Sequence, residues 1–394
     1  MKNLHKRCIL HAGTSKTGTT AIQKYLAGYP GKNDEFVYSS CMGINSSFEL
    51  IHLFHTEPTS DYNYQLGNLS ANKVVDYRKQ ALDYINRQIK KAIDENKILI
   101  FSWEGCWDFP HESLLQLRQF MESNGFTVEL VVYMRPLKEW IESIFQQNIK
   151  AMGLAEFNPV SPVSSKSFEK TNQKIQKLEA IFGATQVYLY KYAPSMFDNG
   201  NVVQHFCQKI GITHKESHQR ANDSLSLPAL KLLYAYNQFG PALGYGPAMK
   251  NNHKLIEVLT QLHGPSMRLH SSLIEPVWEH QNQERTRTEQ RLGGIDMSED
   301  IYQFDTEEYV IKNENDMYKF DTKSLEWLAK QVNAQPVSPA TGREAAEKVA
   351  IQVHSIYRKM YKRASFSSRI SNRVNNLYRS FAVRHLFGIF NRKQ

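Results

Sequence analysis

Residues 7–26 read RCILHAGTSKTGTTAIQKYL. The run Cys8-Ile9-Leu10 is short and apolar, as a buried strand is. The stretch Gly13-Thr14-Ser15-Lys16-Thr17-Gly18-Thr19-Thr20 follows, and then Ala21, Ile22, Tyr25 and Leu26 recur at helical spacing. Strand, glycine-bearing loop and helix in that order make a cradle for phosphate. The glycines let main-chain N–H groups face an anion, and the helix N-terminus adds partial positive charge. The loop nearly fits the nucleotide-triphosphatase pattern G-x-x-x-x-G-K-[ST], with Gly13 and Gly18 at its spacing. Thr19, however, stands where the lysine belongs, and the lysine comes earlier, at Lys16. A lysine after the second glycine reaches β- and γ-phosphates beside a magnesium ion; one before it can reach the bridging oxygen of a shorter anhydride. By itself the loop leaves two other readings open, a kinase-like P-loop protein and a Gly/Thr-rich turn with no ligand.

Outward from this stretch the chain alternates strand and helix. Residues 70–96 form a long amphipathic helix with Leu82, Ile85, Ile89 and Ile93 on one face. Ile98-Leu99-Ile100-Phe101 is a continuous apolar run, suited to a parallel strand buried on both faces, and it ends in Ser102-Trp103-Glu104-Gly105. A helix over 111–123, a strand over 127–134, a helix beginning at Pro136 and running to about Met152, a helix around 173–182 and a strand over 187–190 continue the pattern. This alternation implies an α/β fold with a parallel sheet, right-handed crossovers and ligands bound at the carboxyl ends of the strands. Three polar clusters fall at those ends: the Gly13–Thr20 loop, Glu104 and Arg135.

KTGTT after a strand, followed by a helix with Ile-Gln, resembles the 5′-phosphosulfate loop of sulfotransferases that use 3′-phosphoadenylyl sulfate (PAPS), most closely the bacterial and carbohydrate-type members. Arg135 and Ser143, in VVYMRPLKEWIES, are similar to the family's Arg…Ser element for the 3′-phosphate. Gly200–Gly211 and the segment Asn222-Asp223-Ser224-Leu225-Ser226 also look like the bacterial pattern. The resemblance spans about residues 7–235 and implies a P-loop-type parallel sheet flanked by helices. It implies that Ser15, Lys16, Thr17, Gly18, Thr19 and Thr20 hold the 5′-phosphosulfate end, with Lys16 stabilising the leaving group, and that Arg135 and Ser143 hold the 3′-phosphate. An Arg fork suits phosphate because it gives two parallel charge-assisted bonds; an Arg135 ion pair with Glu139 is the ordinary alternative. Glu104, beside Trp103 and Trp107, is the candidate general base, because burial raises a carboxylate toward a useful range. A structural carboxylate, or a histidine base from the Ser40–His55 stretch, is the rival; His52 and His55 read first as structural histidines. The chain departs from the cytosolic small-molecule members in lacking their late R-K-G…G-x-x-G-x-x-K segment, so other 3′-phosphate contacts and the adenine-stacking ring stay unassigned. No metal is implied.

The 394 residues are 41% hydrophobic, enough for a proper core. Cys8, Cys41, Cys106 and Cys207 are scattered with no zinc-ligand spacing, the usage of a reducing compartment. The first strand follows Met1 too closely for a signal peptide, and no apolar run approaches the ~20 residues of a membrane span. A cytoplasmic enzyme is expected. The net charge of +9 is concentrated late: no Asp or Glu follows Glu347, while ten Lys and Arg fall between Arg358 and Lys393. This basic tail, 357–393, has interleaved apolar residues and suits peripheral contact with an anionic membrane, packing on its own domain or a partner, or no fixed structure; no nucleic-acid motif accompanies the charge.

The expected organisation is a sulfotransferase core over 1–239, a helical extension covering the acceptor side over 240–334, and a linker with the basic tail over 335–394. Within it, 28–70 is read as irregular, 254–262 and 273–291 as helical, and 335–339 as a linker. The expected activity is sulfonate transfer from PAPS to a hydroxyl, on a saccharide, glycolipid or polysaccharide. A P-loop kinase and a non-catalytic P-loop-like binding module are the alternatives.

Overall fold

A computed structural model describes residues 6–28, 35–56, 71–151, 157–161, 167–215, 225–241, 252–279, 282–297 and 301–360. The tail beyond 360 and most of Asn222–Ser226 lie outside them. The described chain groups into two compact units drawn from interleaved segments: 1–143, 160–222 and 274–301 in the first, and 144–159, 223–273 and 302–394 in the second. The boundaries expected at 239 and 334 cut the chain in order, whereas 274–301 groups with the sheet.

The first unit is built on five strands, β1 (Lys6–His11), β2 (Phe36–Tyr38), β3 (Ile98–Ser102), β4 (Phe126–Met134) and β5 (Val187–Lys191), in the order β2-β3-β1-β4-β5 and all parallel. Cys8 faces Leu99 on one side and Val128 on the other. Side chains leave a strand alternately to its two faces, and the core divides accordingly. Cys8, Leu10, Leu99, Phe101, Val128, Leu130 and Val132 enter one apolar cluster. Ile9, Ile100, Val131 and Tyr133 enter the other. Helix α1 (Thr19–Ala27) closes the second face with Ile22, Tyr25 and Leu26. The first face takes α2 (Ser47–Phe54), α3 (Ala71–Asp94), α4 (His111–Ser123) and the carboxyl-terminal half of α6, after α5 (Leu137–Ala151) has followed β4 and α6 (Ser167–Phe182) has followed α5. Helix α7 (Val202–Ile210) returns to the second face through Phe206, Cys207 and Ile210. The chain leaves β1 toward β3 on one side and β4 on the other, so the topological switch, where such sheets bind ligands, lies at the carboxyl end of β1.

Two expectations are corrected here. Residues 28–70 are not wholly irregular, for they hold β2 and α2. Three residues are too short to show a period, and α2 buries Phe48, Glu49, Leu50, Ile51 and Phe54 on several sides, so it has no amphipathic signature. The helical patch expected over 273–291 is corrected at its start: Ser271–Leu273 is a 3-10 turn, and the α-helices described there are Glu275–Glu279 and Asn282–Arg291. The strands and helices expected around 98–101, 111–123, 127–134 and 187–190 are present to within a residue.

The second unit is helical. It contains α8 (Leu227–Phe239), capped by Ser226, then α9 (Asn252–Leu259); the next two helices, α10 (Glu275–Glu279) and α11 (Asn282–Arg291), group with the sheet unit. It continues with α12 (Glu314–Met317), α13 (Thr322–Val332) and a helix over 343–360. Glu314 accepts hydrogen bonds from Tyr234 (2.9 Å) and Tyr318 (2.7 Å). The stretch read as a linker is packed: Val337 is buried, and Lys348 and Gln352 donate to the carbonyls of Ser338 and Gln335. Among the described residues no helix is long and apolar enough to cross a membrane.

Candidate active site

The loop after β1 is held open by its neighbours. Gly18 stands at the N-cap of α1 with φ 78°, and no side chain caps the helix. The left-handed backbone suits glycine. A Cβ there would also lie 2.8 Å from Val202 Cγ1 and 3.1 Å from the ring of Tyr192. The first-turn N–H groups of a helix have no partner within it, so an uncapped N-terminus is a place for an anion. Thr17 and Thr19 are buried, and their hydroxyls turn inward: Thr17 donates to the Thr14 carbonyl (2.6 Å) and Thr19 to the Glu104 carboxylate. Thr20 is exposed and Ser15 half-buried. The anion-facing side of the loop is therefore main chain, Thr20 and Ser15 rather than all four hydroxyls.

Lys16 is left-handed as well, with φ 68°. Such a conformation in a non-glycine residue persists only where its surroundings impose it. Arg135, at the end of β4, donates from Nη1 to the Lys16 carbonyl (2.9 Å), and Trp140, in the first turns of α5, donates from Nε1 to Ser15 Oγ (3.1 Å). The β4–α5 corner thus clamps the loop at two adjacent residues. Burial lowers the pKa of Lys16 and the Arg135 charge lowers it further, while Glu104 raises it.

Arg135 also pairs with Glu139 at 3.2 Å and lies over the Tyr192 ring, 5.2 Å from its centre. Both side chains of this pair are largely buried, so an anion that takes Arg135 has to replace Glu139 as its partner and not merely add to it. Ser143, half-buried, lies on α5, the helix that follows Arg135.

Glu104 opens a short 3-10 turn (Glu104–Trp107) after β3. Burial raises its pKa; the Thr19 hydrogen bond and the Lys16 charge act the other way without cancelling the effect. It lines an open cleft of about 470 Å³ together with Thr20, Gln23, Asn45, His55, Trp103, Gly105, Asp108 and Phe109. The Trp103 and Phe109 rings meet edge to face at 5.2 Å, and His55 meets Phe109 at 5.1 Å. His52 is elsewhere, bonded to the Phe48 carbonyl and packed against Phe48 and Tyr77. His11, fully buried under the loop, contacts Ser102 Oγ at 2.8 Å, and burial lowers its pKa to about 3.

Gly105 is demanded by packing. A Cβ there would fall 2.1 Å from Trp103 Cζ2 and 2.3 Å from Cε2. Gly105→Ala is therefore expected to swing the indole out, destabilise the fold by about 1–3 kcal/mol and change the near-ultraviolet circular dichroism. An unchanged melting temperature and aromatic spectrum would contradict this placement.

The structure thus unites Ser15–Thr20, Glu104 and Arg135 at one edge of the sheet. Trp140, Tyr192, Asn45 and Asp108 join them without standing among the candidates that the sequence offers. A polar or aromatic residue just past a strand or loop expected at this edge is the only signal that could have found them. The chemistry on offer is a clamped anion cradle with a lysine in it, next to a raised carboxylate in a cleft. Among the described residues no group of three or more His, Cys, Asp and Glu could hold a metal ion.

This combination defines a parallel α/β protein with a phosphate-type loop and a carboxylate-bearing cleft. Two similar solved structures are both sulfotransferases. One is the sulfotransferase from Alicyclobacillus acidocaldarius, 12% identical, covering 59% of this chain and 92% of that one, with a TM-score of 0.32. The other is the sulfotransferase domain from the curacin biosynthetic pathway, 15% identical, covering 54% and 76%, with a TM-score of 0.31. No family model and no curated protein matches the chain.

Proposed function

We propose that the protein is a sulfotransferase that moves a sulfonate group from PAPS to a hydroxyl of a saccharide, free or carried on a glycolipid or polysaccharide. The observation that carries this reading is that Lys16 and Glu104 stand within electrostatic reach of each other. They come from loops after adjacent strands, interact electrostatically, and flank the loop–cleft junction where Thr20 and Glu104 share one lining. A cation on the cradle side and a base on the cleft side are the two groups that transfer to a hydroxyl requires.

The main chain of the loop, the α1 N-terminus, Ser15 and Thr20 hold the 5′-phosphate. Arg135, released from Glu139, holds the 3′-phosphate, with Ser143 from the following helix α5. When bound, the donor supplies the sulfonate and a leaving group whose bridging oxygen gains charge as the S–O bond breaks. Lys16 meets that charge, which is greater in the transition state than in the ground state. Glu104 takes the proton of the acceptor hydroxyl, whose oxygen forms the new bond to sulfur. Trp103 and Phe109 line the cleft beside Glu104 and give it an apolar wall.

Incubation with PAPS and a panel of saccharides, read by mass spectrometry for sulfonated product and released adenosine 3′,5′-bisphosphate, tests the reading. Formation of both supports it. Phosphorylated product from Mg-ATP in place of sulfonated product would install the kinase instead; Thr19 at the lysine position weighs against that outcome.

A further inference from the structure

The loop after β1 carries the hydroxyls of Thr14, Ser15, Thr17, Thr19 and Thr20, and most of them are engaged. Thr14 donates to the Tyr133 carbonyl (3.1 Å), Thr17 to the Thr14 carbonyl (2.6 Å) and Thr19 to the Glu104 carboxylate. Thr20 lines the cleft. Ser15 differs from all of these, because its Oγ accepts: Trp140 donates to it from Nε1 at 3.1 Å. An indole N–H can only donate, whereas a hydroxyl has one proton and two acceptor lone pairs. The Ser15 proton is therefore not engaged by Trp140, and the bond holds the lone-pair side of the hydroxyl against α5. A hydroxyl that accepts a hydrogen bond is also polarised into a stronger donor. Trp140 is itself fixed, for its main-chain N–H bonds the Pro136 carbonyl at 2.9 Å. Arg135, just before that helix, holds the carbonyl of Lys16, the residue next to Ser15.

We infer that Trp140 is a positioning residue of the anion cradle: it occupies a lone pair of Ser15 and so turns the Ser15 proton toward the 5′-phosphate of the donor. Ser15 touches the anion, and Trp140 acts only through Ser15. The main-chain donors of the loop are fixed by the backbone, but a serine hydroxyl rotates about its C–O bond, and a group that is free to turn loses that freedom on binding. The indole removes this loss beforehand. The bond that Ser15 then makes is to an ionised acceptor, which is the stronger kind. This inference rests on the proposed sulfotransferase reading, because that reading places an anion in the loop.

A double-mutant cycle tests it. Adenosine 3′,5′-bisphosphate, 5′-AMP and Mg-ATP are titrated calorimetrically into the wild type, Trp140→Phe, Ser15→Ala and the double variant. Phenylalanine keeps an aromatic ring at the position and lacks the N–H. For the bisphosphate, Ser15→Ala is expected to raise Kd about tenfold, the scale of one hydrogen bond to a charged group, and Trp140→Phe about three- to tenfold. In the Ser15→Ala background Trp140→Phe should then change Kd less than about twofold, because residues that act through one another are not additive. An equal effect in both backgrounds, or no effect in the wild type, would overturn the inference and leave Trp140 a packing residue. A second measurement does not depend on Trp140→Phe folding. With isotope-labelled tryptophan, the indole N–H resonance that Ser15→Ala displaces should move downfield when the bisphosphate binds the wild type, as the Ser15 oxygen becomes a better acceptor. A resonance that stays in place would also overturn it. Binding of 5′-AMP or Mg-ATP without the bisphosphate would sink the sulfotransferase reading alone, and the cycle would be read on the nucleotide that binds. Binding of none of the three would overturn both.

Discussion

Lys16→Ala is expected to lower kcat for sulfonate transfer about 10²–10³-fold, the scale seen when one preorganised transition-state donor is removed, and to change bisphosphate affinity far less. The asymmetry follows from how Lys16 is held. Its backbone is fixed by the Arg135 hydrogen bond to its carbonyl, and its neighbour Ser15 by Trp140. Removing the side chain therefore leaves the cradle standing and takes away only the ammonium. That group acts on charge present mainly as the S–O bond breaks, so its loss falls on kcat. Its titration should appear in the pH profile. Burial and the Arg135 charge place its pKa below that of an ordinary lysine, so the active ammonium is lost as pH rises through this lowered value. The alkaline limb should disappear in Lys16→Ala. Full kcat with collapsed bisphosphate affinity would assign Lys16 to ground-state binding instead.

Glu104→Gln is expected to cost about 10²–10⁴ in kcat, the range of a positioned general base, with a small change in the acceptor KM. Glutamine keeps the shape of the side chain and an oxygen for the Thr19 hydroxyl, so the fold should be unaffected. The base works ionised. Because burial raises the Glu104 pKa, wild-type activity should fall with decreasing pH through a midpoint above the ~4.3 of a free glutamate, and that limb should vanish in the variant. The linkage has the matching sign for stability: a carboxyl whose folded pKa is raised costs the fold stability at neutral pH, so Glu104→Gln should melt at the same temperature or slightly higher. Retained activity would pass the role of base to His55, which lines the same cleft.

Much of this site was legible in the sequence because its markers are local. Cys8–Leu10, Leu99–Phe101 and Leu130–Met134 are apolar runs buried on both faces, and the polar residues that follow each run must lie at the carboxyl edge of a parallel sheet. That logic placed the loop, Glu104 and Arg135 together without any long-range information. What stayed illegible depends on contacts that no local pattern encodes. Lys16 is left-handed because Arg135, 119 residues away, holds its carbonyl. Strand β2 exists because Phe36–Tyr38 can pair with Ile98–Ile100 at the sheet edge, which three residues do not announce. Helix α2 buries Glu49, satisfied by Ser39 Oγ (2.6 Å) and the Cys41 N–H (3.2 Å), so its pattern reads as polar where it is core. The inward turn of the Thr17 and Thr19 hydroxyls likewise follows from their partners and not from the loop pattern.

PAPS-type binding is tested by calorimetric titration of the wild type and Arg135→Ala with adenosine 3′,5′-bisphosphate, 5′-AMP and Mg-ATP. Clear preference for the bisphosphate over 5′-AMP is expected in the wild type, lost in Arg135→Ala through the missing 3′-phosphate contact and the loosened Lys16 loop. Preference for Mg-ATP, or no nucleotide binding, would contradict it.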